Sequence, residues 1–323
     1  MSIRLLSYNV RYSTLDSGDD VWAERRDGVA SVIRFHAPDV VCLQEVWEDQ
    51  LSDLRDRLPA YAWVHAETAS GEHTPIGFRP DRVTVRDSDA FSLSETPRDL
   101  HAMDWETTVP RVTTTAGLDA AATDHEAERS EASNRASGRR ERSDRRHASR
   151  EAERSEASER ASGRRSTEGR PPNERAGGST GGRHRNERAA KPRGRAVRVV
   201  NTHLDHESER ARRRGAALLA DRFGDRDGAT VLAGDFNCGT ADAPYRTLTD
   251  DGGFRPAREL ADDTHGPLTT FNDFEAPQSG ERLDHVLVDG VAVDRFGVLA
   301  DLDDRGRYPS DHFAVLADLT LAD

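Results

Sequence analysis

From Asp119 to Arg195 the chain contains no valine, isoleucine, leucine, methionine, phenylalanine, tryptophan, tyrosine or cysteine. Such a stretch has nothing to bury, and burial is what offsets the roughly 1–2 kcal/mol of backbone entropy lost per ordered residue. The stretch also repeats itself. Residues 126–133 recur as 151–158, and Arg-Ala-Ser-Gly-Arg-Arg follows both copies at 135–140 and 160–165. Its Glu/Arg pairs have helical spacing but no apolar face to dock, so they support transient helix at most. These features predict one domain over 1–323, interrupted by a disordered Arg/Glu/Ser-rich insertion at 119–195. Without those 77 residues, 246 remain, a normal size for one α/β domain.

Charge divides along the same boundary. The segment carries 20 basic and 14 acidic residues, net +6, and the remainder 26 basic and 45 acidic, net −19. A globular part this acidic repels nucleic acid at long range, so binding a polyanion there needs a local positive site or a metal ion. The Arg-rich segment could instead serve as a nucleic-acid tether, although its mixed charge weakens that reading. Lys191 is the only lysine. An acidic, arginine-containing surface without lysine fits adaptation to a high-salt cytoplasm, where the Debye length falls to about 3 Å at 1 M. A GC-rich genome with an acidic bias would give the same composition. Cys42 and Cys238 read as core thiols of a reducing compartment. The N-terminus lacks a signal-peptide apolar region, and no apolar run approaches the ~18 residues of a membrane span. The expectation is a cytoplasmic protein, monomer favoured, with no membrane partner.

Outside the segment, apolar runs alternate with helical patterns. Strands are expected at Ile3–Val10 and Val40–Glu45, with a helix between them at Trp22–Phe35 that Pro38 stops. A second helix covers Glu48–Leu58. Short strands follow at Tyr61–His65, Thr74–Phe78, Val83–Ser88 and Thr107–Thr115. After the insertion come a strand at Val197–His203, a helix at Glu209–Arg222, a strand at Thr230–Gly234 and a helix near Pro244–Thr249. Val286–Val288 and Phe313–Leu319 complete the set. Strand–helix–strand alternation with this many strands indicates sheets covered by helices.

Polar residues recur where these strands begin or end. Asn9, Glu45 and His203 close apolar runs, Asp235 and Asn237 follow one, and Asp284 and the pair Asp311-His312 precede two others. Any one of them could be an ordinary strand-end polar residue. Together they suggest a catalytic constellation at one sheet edge. A phosphoester hydrolase needs a divalent cation, a group that activates water, and donors for the developing charge. Mg²⁺ favours one or two carboxylates plus other oxygen ligands. Glu45 is the best first ligand, with Asn9 offering an amide oxygen and Asp311 a second carboxylate. Asp235 and Asn237 can hold and deprotonate a water. His312 and His203 can donate to phosphoryl oxygens, with Asp284 as the carboxylate that keeps His312 charged and oriented. His206 and His285 read more readily as structural histidines.

Six segments then carry a resemblance: residues 7–11, 43–46, 201–206, 234–237, 282–288 and 308–313, in that order. Together they closely resemble the endonuclease/exonuclease/phosphatase superfamily with its DNase I-like fold. The resemblance implies an α/β fold, a four-layer α/β/β/α sandwich of two packed mixed β-sheets flanked by helices. It implies a Mg²⁺- or Mn²⁺-dependent site at one end of the sheets. Asn9, Glu45 and Asp311 match the metal-side residues, Asp235 the water-activating aspartate with Asn237 beside it, and His203 and His312 the phosphate-contacting histidines. Asp284 matches the carboxylate paired with His312. Further signatures at 22–26, 93–97, 110–111 and 211–212 look like the branch that includes nocturnin- and deadenylase-like hydrolases. That branch makes Arg111 a candidate phosphate contact. Glu72 is a possible substrate-side acid, although Ala66–Ser70 stand where the branch often has Arg-x-Asp-Gly.

The implied activity is metal-dependent phosphoester hydrolysis. A nucleic-acid phosphodiesterase, such as a 3′-exonuclease on RNA, is the first reading. A phosphatase on a small phosphorylated metabolite, dinucleotide, or inositol or lipid phosphate is the second, and a non-catalytic scaffold the third.

Overall fold

The computed structural model describes residues 2–14, 17–66, 73–120, 196–224 and 228–321. The expected disordered insertion lies, from residue 121 onward, outside the described residues, as does Glu72. At its N-terminal boundary the structure differs from the sequence reading. Asp119 and Ala120 finish a strand, pairing with Thr84 and Val83, and Asp119 also faces Ala196. Ladder hydrogen bonds use backbone groups alone, so a strand end needs no apolar side chain.

Two strands start the first sheet, β1 (Ser2–Asn9) and β2 (Val40–Gln44), joined by helix α1 (Trp22–His36). They run parallel, with Leu5 opposite Val40 and Asn9 opposite Gln44. β2 is apolar from Val40 to Leu43 and buried throughout, as a strand covered on both faces must be, whereas β1 interleaves Arg4 and Ser7 with its apolar residues. Helix α2 (Glu48–Arg57) leads to the short strands β3 (Ala62–Val64) and β4 (Ile76–Phe78). The second sheet then begins with β5 (Val83–Ser92), β6 (Val112–Ala120) and β7 (Ala196–His203). Helix α3 (Glu209–Phe223) crosses to β8 (Ala229–Asp235), which lies parallel to β7. The short helix α4 (Ala243–Arg246), strand β9 (Arg255–Pro256), helix α5 (Ala257–Leu260) and strand β10 (Asp263–His265) follow. The chain closes with β11 (Asp284–Asp289), β12 (Val291–Leu299) and β13 (Ala314–Leu321). The strand order is β10-β12-β13-β1-β2-β4-β3 in one sheet and β5-β6-β7-β8-β11-β9 in the other.

Alternating inward residues of the two sheets form one shared core. Leu5, Cys42 and Val315 from the first sheet join Val199, Ala233 and Val286 from the second. On the outer face of the first sheet, Val29, Ile33, Leu51 and Leu54 of α1 and α2 cover Leu6, Val41 and Leu43. On the outer face of the second, Ala216, Leu219 and Phe223 of α3 cover Val200 and Leu232. This is the four-layer α/β/β/α sandwich. Each fully buried aliphatic side chain contributes roughly 1.5–3 kcal/mol.

The topology sets where the polar strand ends fall. β1 and β2 are parallel neighbours, so Asn9 and Glu45 emerge at the same rim. β7 and β8 are likewise parallel, with His203 opposite Asp235. β11 is antiparallel to β8 and begins at Asp284 opposite Asp235, and β13 is antiparallel to β1 and begins just after His312. One rim therefore collects the ends of β1, β2, β7 and β8 and the starts of β11 and β13.

Candidate functional site

The rim is built from below by buried polar contacts between the sheets. Gln44 donates from Nε2 to the Asn201 side-chain oxygen at 2.7 Å, and Asn201 donates to the Leu43 and Pro75 carbonyls at 2.8 and 2.9 Å. Above them Asn9 joins the sheets again. Its Nδ2 donates to Glu45 Oε1 at 2.9 Å and to Asp235 Oδ2 at 3.0 Å. The two carboxylates thus converge on one amide nitrogen. The turn after β1 is pinned by the buried Arg25, which donates to the carbonyls of Val10, Pro309 and Arg11. Ser310 Oγ donates to the Asn9 carbonyl at 2.7 Å.

Asp235 is the hub. Its Oδ1 accepts the Asn237 backbone N–H at 2.8 Å, and its Oδ2 lies 3.6 Å from His203 Nε2 and 3.8 Å from His312 Nε2. The His312 ring is held from behind, with Nδ1 2.8 Å from Asp284 Oδ2. Burial alone would lower the His312 pKa, but the negative charges of Asp284 and Asp235, the hydrogen bond to Asp284, and Asp311 together raise it well above the ordinary value. The ring sets Nδ1 against Asp284 and turns Nε2 toward Asp235. Thr270 Oγ1 accepts the backbone N–H of Leu283 and Asp284, fixing the strand start that carries Asp284.

Backbone conformation marks the same place. Arg11, Glu45 and Asn237 all have positive φ, at 57°, 59° and 48°. Asparagine tolerates that region; arginine and glutamate do so only when the surroundings hold them there. Glu45 is held by Asn9 and by the Tyr12 N–H, which donates to Oε2 at 3.2 Å. Arg11 is held by Arg25 and Gln50, both donating to its carbonyl.

Among the described residues, two groups of acids and histidines have ligand atoms within 4.8 Å of one another: Glu45, His203 and Asp235, and Asp235, Asp284 and His312. The set is carboxylate and imidazole with an amide beside it, the donor chemistry that suits hard divalent cations. Neither cysteine competes for that role. Both are buried, and burial pushes the Cys238 thiol up to about 12 and Cys42 higher still.

The model of the endonuclease/exonuclease/phosphatase family matches residues 6–312. The chain belongs to that family. Members are phosphoesterases, so the protein is a hydrolase of that class. A search of curated proteins returns no match. Among solved structures, the chain is similar to an endonuclease/exonuclease/phosphatase from Bacteroides vulgatus at 25% identity, over 99% of each chain, with TM-score 0.71. It is similar to a mannosyl-6-phosphatase of Bacteroides thetaiotaomicron at 22% identity, over 98% of this chain and 99% of that one, with TM-score 0.69. Similarity to the human nocturnin catalytic domain with bound sulfate is lower, at 17% identity and TM-score 0.59, over 99% and 95% of the two chains.

The endonuclease/exonuclease/phosphatase family resemblance read from the motifs therefore holds, and the structure shows which motif residues meet. Asn9, Glu45, His203, Asp235, Asn237, Asp284 and His312 come together as described. Asp311 adjoins them, but the Arg11 guanidinium donates to its Oδ2 at 3.1 Å, a contact the sequence reading did not foresee. Arg111, the candidate phosphate contact, has a terminal nitrogen 3.2 Å from His203 Nδ1. It is 3% exposed and bonded to Asp205 in the interior. Burial alone would raise the Asp205 carboxyl, but the Ser208 N–H and Arg111 hold it below the usual range. No helix among the described residues is long and apolar enough to cross a membrane.

Proposed function

We propose that this protein hydrolyses a phosphoester with a divalent cation, Mg²⁺ or Mn²⁺, held by Glu45 and Asn9 with Asp311 close by. When bound, the cation neutralises phosphoryl charge. The observation that carries the reading is the convergence on Asp235 Oδ2 of Asn9 and two histidine Nε2 atoms. Asp235 accepts the proton of the attacking water, and the Asn237 N–H keeps its other oxygen occupied and its plane fixed. His312 donates Nε2–H to a phosphoryl oxygen, and Asp284 keeps that ring charged and aimed. His203 supplies a second Nε2 at the same place.

The substrate reading that the surface favours is a small phosphorylated metabolite. Outside 119–195 the chain carries net −19, which opposes a long polyanion far more than a single phosphate group. The likeness to a mannosyl-6-phosphatase supports the phosphosugar class. A nucleic-acid or nucleotide substrate is the second reading, including a 3′-exonuclease. It is favoured by Tyr12 and Trp47, half-buried rings stacked 6.3 Å apart next to Glu45, where a base could pack.

One panel tests both. Hexose 6-phosphates, inositol phosphates, NADP(H), single-stranded RNA and single-stranded DNA are offered with Mg²⁺ or Mn²⁺ at low and high salt. Turnover of a phosphosugar is the expected result. Asp235→Asn should lower kcat by about 10²–10⁴-fold with an unchanged melting temperature. Retained turnover in that variant would sink the mechanism, and turnover confined to RNA or DNA would overturn the substrate reading.

A further inference from the structure

We propose that the Arg11 guanidinium and a divalent cation compete for the Asp311 carboxylate, and that the guanidinium, on yielding Asp311, contacts the substrate's phosphoryl oxygens. The inference deepens the proposed phosphoesterase reading and rests on it for the identity of the metal face.

The turn at Arg11 and Tyr12 touches all three residues of that face. The Arg11 N–H donates to Asn9 Oδ1 at 3.0 Å, the Tyr12 N–H donates to Glu45 Oε2 at 3.2 Å, and Arg11 Nη1 donates to Asp311 Oδ2 at 3.1 Å. The two backbone contacts are compatible with a bound cation, because each accepting oxygen keeps a second lone pair. The third contact differs in kind. A guanidinium carries a full charge, and a divalent cation brought to the same carboxylate repels it at close range. Asp311 is 3% exposed, so little water screens that repulsion. Its other oxygen already faces Ser310 Oγ at 3.3 Å. Arg11 and the cation therefore weaken one another at Asp311.

The side chain of Arg11 is the part that can yield. Its backbone is held at φ 57°, with its N–H on Asn9 and its carbonyl accepting from Arg25 and Gln50 at 3.1 and 2.9 Å. A guanidinium that leaves Asp311 thus stays at the rim, where the Tyr12 ring lies 5.5 Å from its Cζ. The Arg11 side chain is 29% exposed against 4% for that of Asp311, so it reaches the solvent from which a substrate arrives. The anion a phosphoesterase admits is a phosphoryl group, and a planar guanidinium can meet two of its oxygens at once.

The test begins with metal binding in the absence of substrate. Mn²⁺ alone is titrated calorimetrically into full-length wild type, Arg11→Met and Arg11→Lys at 0.1 and 1 M KCl. Arg11→Met, which keeps the apolar stem and removes the charge, should bind Mn²⁺ about 3–10-fold more tightly than wild type, with Arg11→Lys between the two. The gain should persist at 1 M KCl, where a purely long-range field is screened. Turnover should move the other way. At saturating Mn²⁺, kcat/KM of Arg11→Met on the best phosphoester of the panel should fall about 10–100-fold. A residue that only shaped the turn would weaken metal binding and turnover together. A crystal structure of wild type with Mn²⁺ and inorganic phosphate should place the guanidinium on phosphate and off Asp311, and it covers the case of variants that do not fold. Unchanged or weaker Mn²⁺ binding in Arg11→Met, a gain lost at 1 M KCl, unchanged kcat/KM, or Arg11 still on Asp311 beside bound Mn²⁺ overturns the inference. If neither wild type nor Arg11→Met binds Mn²⁺, the metal reading of the proposed function fails and the inference falls with it. If Mn²⁺ binds but no phosphoester turns over, the proposed function fails, and the titrations and the crystal structure decide the exchange.

Discussion

At the residue scale, two buried histidines, one on β11 and one just before β13, have opposite fates, and their partners explain why. His312 faces three carboxylates, Asp284, Asp235 and Asp311, which outweigh its burial and raise its pKa well above the ordinary value. His285, one residue after Asp284, is 2% exposed between the Phe236 and Tyr245 rings, and its Nε2–H donates to the Cys238 carbonyl at 3.0 Å. Burial lowers its pKa to about 4. An unfolded chain protonates histidine near 6.5, so between about 6.5 and 4 the unfolded state binds a proton that the folded state refuses. Stability from this residue is complete above about 6.5 and is lost as pH falls toward 4, by about 3 kcal/mol in all. Urea unfolding at pH 7.5 and 4.5 should show that loss in wild type and a smaller one in His285→Gln. Equal losses would mean that His285 does not carry the acid sensitivity.

At the element scale, β8 shows why Gly234 precedes the hub. Its φ is 146°, and a Cβ at that position would meet the Thr202 carbonyl oxygen of the parallel neighbour β7. Gly234→Ala therefore forces β7 and β8 apart at the point where His203 and Asp235 face each other. The expected cost is about 3 kcal/mol or more in guanidinium unfolding, with lost hydrolysis even in the folded fraction. An alanine variant of wild-type stability would show that the strands part without cost. The central strands were legible from sequence because burial on both faces leaves apolar runs, as in Val40 to Leu43 of β2 and Val231 to Gly234 of β8. The strand expected at Thr107–Thr115 instead runs Val112–Ala120, because Pro110 lacks an N–H and Trp105 and Glu106 turn the chain at positive φ. β12 went unread. Asp294, Arg295 and a register shift between Val293 and Arg295 break its alternation. The site divides in the same way. Polar groups at strand ends can be read from motifs, but the arginines that hold them cannot. Arg25 reaches a carbonyl 284 residues away, and Arg11 an acid 300 residues away, partnerships that only the closed sandwich creates.

At the scale of the whole molecule, the question is what the core needs from 121–195. β6 and β7 are adjacent and antiparallel, with Leu118 opposite Val197 and Asp119 opposite Ala196. Their ends therefore meet where a short turn could join them, and every residue of the proposed site lies elsewhere. Replacing 121–195 by a four-residue Gly/Asn turn should leave kcat and KM within about two-fold of wild type. Shorter loop closure should raise stability by at most about 2–3 kcal/mol. The same deletion removes net positive charge and leaves an acidic core whose carboxylates repel one another. Melting temperature should then climb with KCl more steeply in the deletion variant than in wild type, because salt screens repulsion that the segment's arginines no longer offset. Loss of hydrolysis with retained folding would give the segment a part in substrate capture, consistent with an Arg-rich tether. A salt response identical to that of wild type would mean that its charge is not felt by the core.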